Sequence, residues 1–73
     1  MPSNPWKDEL ARLRFERAKF AKMAAERRRE AIEFRKQRRW LDALLADDRA
    51  AEYRRSRDQR GEYIAKINSM GYR

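Results

Sequence analysis

Two side chains that favour strands, Val and Thr, are missing from this 73-residue chain, and Ile stands only at positions 32, 64 and 67. From Trp6 to Arg60 neither Pro nor Gly interrupts the backbone. Without β-branched residues a pleated sheet lacks its usual packing material. Ala, Arg, Glu, Lys and Leu, which lose little side-chain freedom in a helix, dominate instead. The chain therefore reads as all-α. It is one small basic helical domain spanning 1–73, a small bundle or extended arrangement of two to four helices. Residues 1–4 and 70–73 are expected to be flexible.

The first helix has a legible start. Asn4 or Ser3 can cap it, Pro5 suits the first helical position, and Asp8 and Glu9 complement the positive helix end. Trp6, Leu10, Leu13, Phe20 and Ala24 then recur at helical spacing and form one apolar stripe. Phe15 lies on the opposite side. Further along, Phe34, Leu41 and Leu45 define a second stripe, with Leu44 beside it. A straight helix would place Arg28, Arg35 and Arg39 in line with the first stripe. That conflict predicts a bend or break between Ala24 and Ala31; the alternative is one long helix with two differently aimed apolar patches. Asp47-Asp48 predicts a boundary, with a further helix from Arg49 to Arg60 stopped by Gly61. Tyr63, Ile64, Ile67 and Met70 suit one more short amphipathic turn or two.

Charge bounds the function. Lys and Arg number 20 against 12 Asp and Glu, a net charge of +8. A chain of this sign seeks phosphates, acidic protein surfaces or anionic lipid. The interspersed acids suit ion pairs on helix surfaces, such as Asp8 with Arg12, Arg12 with Glu16, or Arg29 with Glu33. Cys and His are both absent. Disulfides, thiolate chemistry, zinc fingers and imidazole catalysis go with them. Neither a nucleophile–base set nor a phosphate-cradling glycine loop is present, so no enzyme, cofactor or small-molecule substrate is expected. No apolar run reaches membrane-spanning length, and the first residues lack a signal-peptide core, so the expected location is the cytoplasm, without a membrane partner.

The densest functional signal is Arg27, Arg28, Arg29, Arg35, Lys36, Arg38, Arg39 and Trp40. Seven cations and an indole fall within fourteen residues. Read as one helix, Arg28, Arg35 and Arg39 share a face, with Arg38 at its edge and Phe34 and Leu41 pointing away. Arginine forks bind two phosphate oxygens at once, which lysine cannot do. Trp40 can stack on a base, worth about 1–3 kcal/mol. The plainer readings are a solvated arginine face, and Trp40 packed in a core with Leu41 and Leu44. Arg54-Arg55-Ser56-Arg57 is either a second basic patch or a soluble helix end. Trp6, Leu10, Leu13, Phe20, Tyr63 and Ile67 are the candidates for docking a protein partner, or else plain core.

The order Arg27-Arg28-Arg29-Glu30, Lys36-Gln37, Trp40 resembles the arginine-rich helix of lambdoid phage N antitermination proteins. The match needs one inserted residue and covers about a fifth of the chain. Length and overall make-up are also similar to small phage-encoded proteins that bind host RNA polymerase. These resemblances imply attachment to bacterial RNA polymerase near the RNA exit region. They imply contact with nascent RNA, read-through of terminators, inhibition of σ-dependent initiation, or both. The composition by itself equally suits an arginine-rich RNA- or DNA-binding protein, or a ribosome-associated module.

Overall fold

A computed structural model describes residues 4–71. Two helices of equal length make up the fold: α1, Lys7–Lys36, and α2, Trp40–Ser69. They lie antiparallel in a rod of 60 × 14 × 10 Å. Cross-helix partners run in opposite senses along the two sequences: Glu16 meets Arg60, Phe20 meets Tyr53, and Arg35 meets Asp47.

The helices meet along a seam whose positions step alternately by three and four residues, the spacing of a coiled coil. In α1 the seam runs Leu10, Leu13, Arg17, Phe20, Ala24, Arg27, Ala31, Phe34. In α2 it runs Ala43, Ala46, Ala50, Tyr53, Arg57, Arg60, Ile64, Ile67. All of these are buried or half-buried except Arg17. Three zones follow one another. Leu10, Leu13, Ile64 and Ile67 form an aliphatic cluster at the open end. Phe20 stacks on Tyr53 in the middle, centroids 6.2 Å apart, and the Arg60 guanidinium lies 4.9 Å above the Phe20 ring. Towards the turn the buried seam positions are all alanine, flanked by half-buried Arg27 and Phe34: Ala24, Ala31, Ala43, Ala46 and Ala50 are buried, Ala31 completely.

Those alanines overturn the break expected between Ala24 and Ala31. The apolar stripe does not change phase there. It continues in residues too small to register as an amphipathic signal, and α1 runs unbroken to Lys36. The long-helix alternative holds over this segment. The second stripe is corrected with it: Leu41, Leu44 and Leu45 are 69%, 57% and 52% exposed, while Ala43, Ala46 and Ala50 occupy the seam.

The chain reverses at Gln37-Arg38-Arg39, inside the basic run. Arg38 adopts φ 59°, the left-handed conformation that usually requires glycine after a helix. Its N–H donates to the Arg35 carbonyl (3.0 Å), and the Arg39 N–H donates to the Phe34 carbonyl (2.8 Å). This paired bonding closes the carbonyl end of α1 in a Schellman motif. The apolar contact that often accompanies the motif is here the Arg39 guanidinium, 4.8 Å over the Phe34 ring. Arg39 Nε also donates to Asp42 Oδ2 (2.7 Å) in the first turn of α2.

Other expected boundaries move. Asp47 and Asp48 lie inside α2, as does Gly61, so there is no separate helix from Arg49 to Arg60. The acids could not end a helix because the seam runs through Ala46 and Ala50 on either side of them. The first helix starts at Lys7, two residues after Pro5. The Asn4 carboxamide oxygen accepts from the Trp6 N–H (2.8 Å) in an Asx turn. The alternative cap Ser3, and residues 1–3 and 72–73 of the segments expected to be flexible, lie outside the described residues.

Candidate nucleic-acid interface

A two-helix hairpin has two edges, where the flanks of the helices meet beside the seam. Here they differ in charge. One edge presents Glu9, Glu16 and Glu30 from α1 and Asp42 from α2, and cations answer them. Arg12 pairs with Glu9 and, at 2.6 Å, with Glu16. Arg60 reaches Glu16 across the seam at 3.2 Å. Arg27 holds Glu30 at 2.9 Å, and Arg39 holds Asp42. Hydrogen bonding and charge from Glu9 push the Arg12 guanidinium above its ordinary pKa. Glu30 does the same for Arg27, with a smaller contribution from Tyr53. Both therefore stay charged at any working pH.

The opposite edge presents Arg14, Ala21, Arg28 and Arg35 from α1, and Asp47, Arg54 and Gly61 from α2. Here α1 contributes no acid at all. Asp47 is taken by Arg35, and Arg57, which reaches this side from the seam, pairs with Asp58 at 3.0 Å. Between them lies a shallow groove floored by Ala21, Ala24, Ala25 and Ala50 and walled by Arg28, Arg54 and Arg57. Among the described residues Arg28 and Arg54 have no carboxylate partner. Further along, Arg17 lies flat against Gly61: a methyl group there would sit 3.6 Å from Arg17 Nε. The missing side chain at Gly61 leaves room for that guanidinium to cross.

The expected basic site is therefore rearranged. Its eight residues do not form one helical face, because the turn at 37–39 divides them. Arg28 and Arg35 share the cationic edge; Arg39, expected beside them, sits past the turn over Phe34. Arg27, Arg35, Lys36 and Arg39 each hold a carboxylate, Lys36 with Glu33 at 3.4 Å. Arg28, Arg29 and Arg38 are exposed with no acidic partner among the described residues. Of the three ion pairs expected along the first helix, Arg12–Glu16 forms; Asp8–Arg12 and Arg29–Glu33 do not, because Glu9 and Lys36 take Arg12 and Glu33.

Trp40 opens α2 and is 64% exposed, so it is not core. With Leu41, Leu44 and Leu45 it forms an apolar face that points away from the seam. The expected docking residues fare differently. Leu10, Leu13 and Ile67 are buried in the hairpin's own core and Phe20 is stacked on Tyr53, so as folded these four present little to a partner. Trp6 and Tyr63 remain at the rim of the open end, where they line a groove with Arg12, Lys66 and Met70.

Of the residues around this groove Arg17 left no sign in the sequence, while Arg54 and Arg57 were legible only as a separate second basic patch or a soluble helix end, not as neighbours of Arg28. One signal was available. The positions Arg14, Ala18, Ala21, Ala25, Arg28, Ile32 and Arg35 step by four and three without a single acid. No described helix is long and apolar enough to cross a membrane. No family model matches the chain, and no curated protein or solved structure matches it.

Proposed function

We propose that this chain is a non-catalytic regulator of transcription that docks on bacterial RNA polymerase and sets its basic surface against the emerging RNA. One observation carries the reading. The closed end of the hairpin sets an exposed apolar face, Trp40, Leu41, Leu44 and Leu45, next to a turn arginine that no carboxylate occupies among the described residues, Arg38, while Arg29, equally unoccupied, stands on the outer face of α1. An aromatic and aliphatic anchor beside a free guanidinium suits a protein surface that adjoins a polyanion. The resemblance to phage antitermination and polymerase-binding proteins supplies the identity of the partner.

In this mechanism no bond is made or broken. The apolar end seats on a polymerase subunit near the RNA exit region, and the rod projects from it. Its cations neutralise RNA phosphates and occupy the space a terminator hairpin or a σ contact needs. The tip takes over the docking role from the Leu10–Leu13–Ile67 stripe, which the hairpin uses for its own stability. A second reading, a nucleic-acid-binding protein that needs no polymerase, is favoured by the cationic edge alone.

Capture of purified polymerase by the tagged chain, followed by a terminator read-through assay, tests the proposal. Leu41→Ser with Leu44→Ser is expected to abolish capture and read-through while leaving the helical spectrum intact. A tagged chain that recovers ribosomes or free RNA but no polymerase subunit refutes it.

A further inference from the structure

We propose that the alanine-floored groove along the cationic edge is a track for the phosphodiester backbone of a nucleic-acid duplex. Arg28, Arg54 and Arg57 are its walls, and Arg17 and Arg35 extend it along the rod. The inference rests on the reading of the chain as a partner of nucleic acid, and names residues outside the basic run that make the contact.

In an antiparallel pair of helices, facing edge positions ordinarily carry opposite charges. On one edge of this hairpin every acid is answered, by cations of its own helix or of the turn and, at Glu16, also by Arg60 from across the seam. On the other, Arg28 and Arg54 flank one groove with no anion between them. Like charges held on one edge repel, at a small cost to the fold. An anion entering from outside relieves that repulsion and gains charge-assisted hydrogen bonds from guanidinium forks.

The shape of the site selects among anions. The one α2 acid on this edge, Asp47, is held by Arg35 at its closed end. From Arg14 to Arg35 the α1 side of the edge, which carries no acid, rises through 21 helical steps, roughly 32 Å. That is close to the ~34 Å of one duplex turn. A linear row of cations on a rod matches a polymer that repeats its charge, not a compact ligand. Ala21, Ala24, Ala25 and Ala50 put no bulk between the arginines, so a sugar–phosphate strand can come down onto the helix surface. No aromatic lines the groove. Unstacked bases would find no platform there, which disfavours a single strand relative to a duplex that keeps its own stacking. Ile32 is the one large apolar side chain on the α1 side of the edge, and on α2 Trp40 and Leu44 stand only at its closed end, too few along the groove for a membrane surface. Contact through phosphates alone predicts indifference to sequence.

Fluorescence anisotropy of the full chain with labelled 24-base-pair duplexes of two unrelated sequences tests this, with oligothymidine and polyglutamate as competitors. Both duplexes are expected to bind equally, with a slope of log K against log salt of about −3 to −5. Arg28→Gln with Arg54→Gln should weaken binding about tenfold or more at 100 mM salt and flatten the slope by about 2. Arg12→Gln with Arg49→Gln removes the same charge from the other edge, where Arg49 stands in one shallow groove with Glu30 and Asp42, and should stay within about threefold of the parent. Equal losses in the two double variants would reduce the effect to net charge and overturn the groove. Tighter binding of oligothymidine would overturn the duplex, and equal competition by polyglutamate would make the occupant an acidic polypeptide. These titrations contain no polymerase. Their failure leaves the polymerase reading standing, and loss of polymerase capture leaves duplex binding standing.

Discussion

The two ends of the rod use the same kinds of residue in opposite ways. At the open end Leu10, Leu13, Ile64 and Ile67 point inward, and the aliphatic side chains are at most 9% exposed. At the closed end Leu41, Leu44 and Leu45 point outward, and alanines line the seam. One end spends its apolar surface on the fold. The other folds on close backbone approach and the constraint of a short turn, and leaves its apolar surface free. A two-helix chain has too little interior to bury every large side chain. Where it places the surplus is therefore informative, and here the surplus sits beside the turn, where Arg38 has no acidic partner among the described residues.

That contrast can be broken by substitution, each followed by thermal or urea unfolding at 222 nm. The largest effect belongs to the open end. Leu13→Ala removes a core side chain that is 4% exposed and should cost about 2–5 kcal/mol, enough to leave much of the chain unfolded. At the closed end the damaging change is the reverse one. Ala31→Leu overfills a seam position with no exposed surface and should cost about 1–3 kcal/mol. If Ala31→Leu proved harmless, the close alanine seam would not be what joins the helices there.

Two smaller changes should stabilise. Gly61→Ala restores helix propensity inside α2, and its methyl meets only the flexible Arg17 side chain at ordinary contact distance, a gain of about 0.5–1 kcal/mol. Arg38→Gly relieves the left-handed backbone of the turn by a similar amount, about 0.5–1 kcal/mol. Arginine at a position built for glycine is a departure from local preference that binding by Arg38 would explain. If Arg38→Gly stabilises the fold and weakens partner capture, the strain has a use. Smallest of all, Leu44→Ala should change stability by less than about 0.5 kcal/mol. A larger loss would mean the tip leucines support the fold after all, and the contrast between the ends would fail.

The sequence specifies helices without stating how many. The scarcity of β-branched residues argued against sheet, and the run without Pro or Gly from Trp6 to Arg60 left nothing to mark a turn, so the reversal at Gln37-Arg38-Arg39 was invisible. Arginine took the place a glycine would have announced. The second half of the seam was hidden in alanines, whose burial produces almost no amphipathic contrast. Large exposed leucines supplied a false stripe in its place. The basic run was legible as a run, but its division by the turn was not, so Arg39 was grouped with Arg28 and Arg35 although it lies elsewhere. Arg54 and Arg57 could join Arg28 as neighbours only after the chain had folded back, since they stand 26 and 29 positions beyond it.

Composition alone determined that this chain is helical, cationic and without the side chains of thiol or imidazole chemistry. Those properties belong to residues one at a time. Which apolar groups are core, which arginines are spent on carboxylates and which share an open groove were decided by the pairing of two helices. Burial and charge pairing depend on what lies opposite, and a linear sequence does not state what lies opposite until a turn has fixed the register.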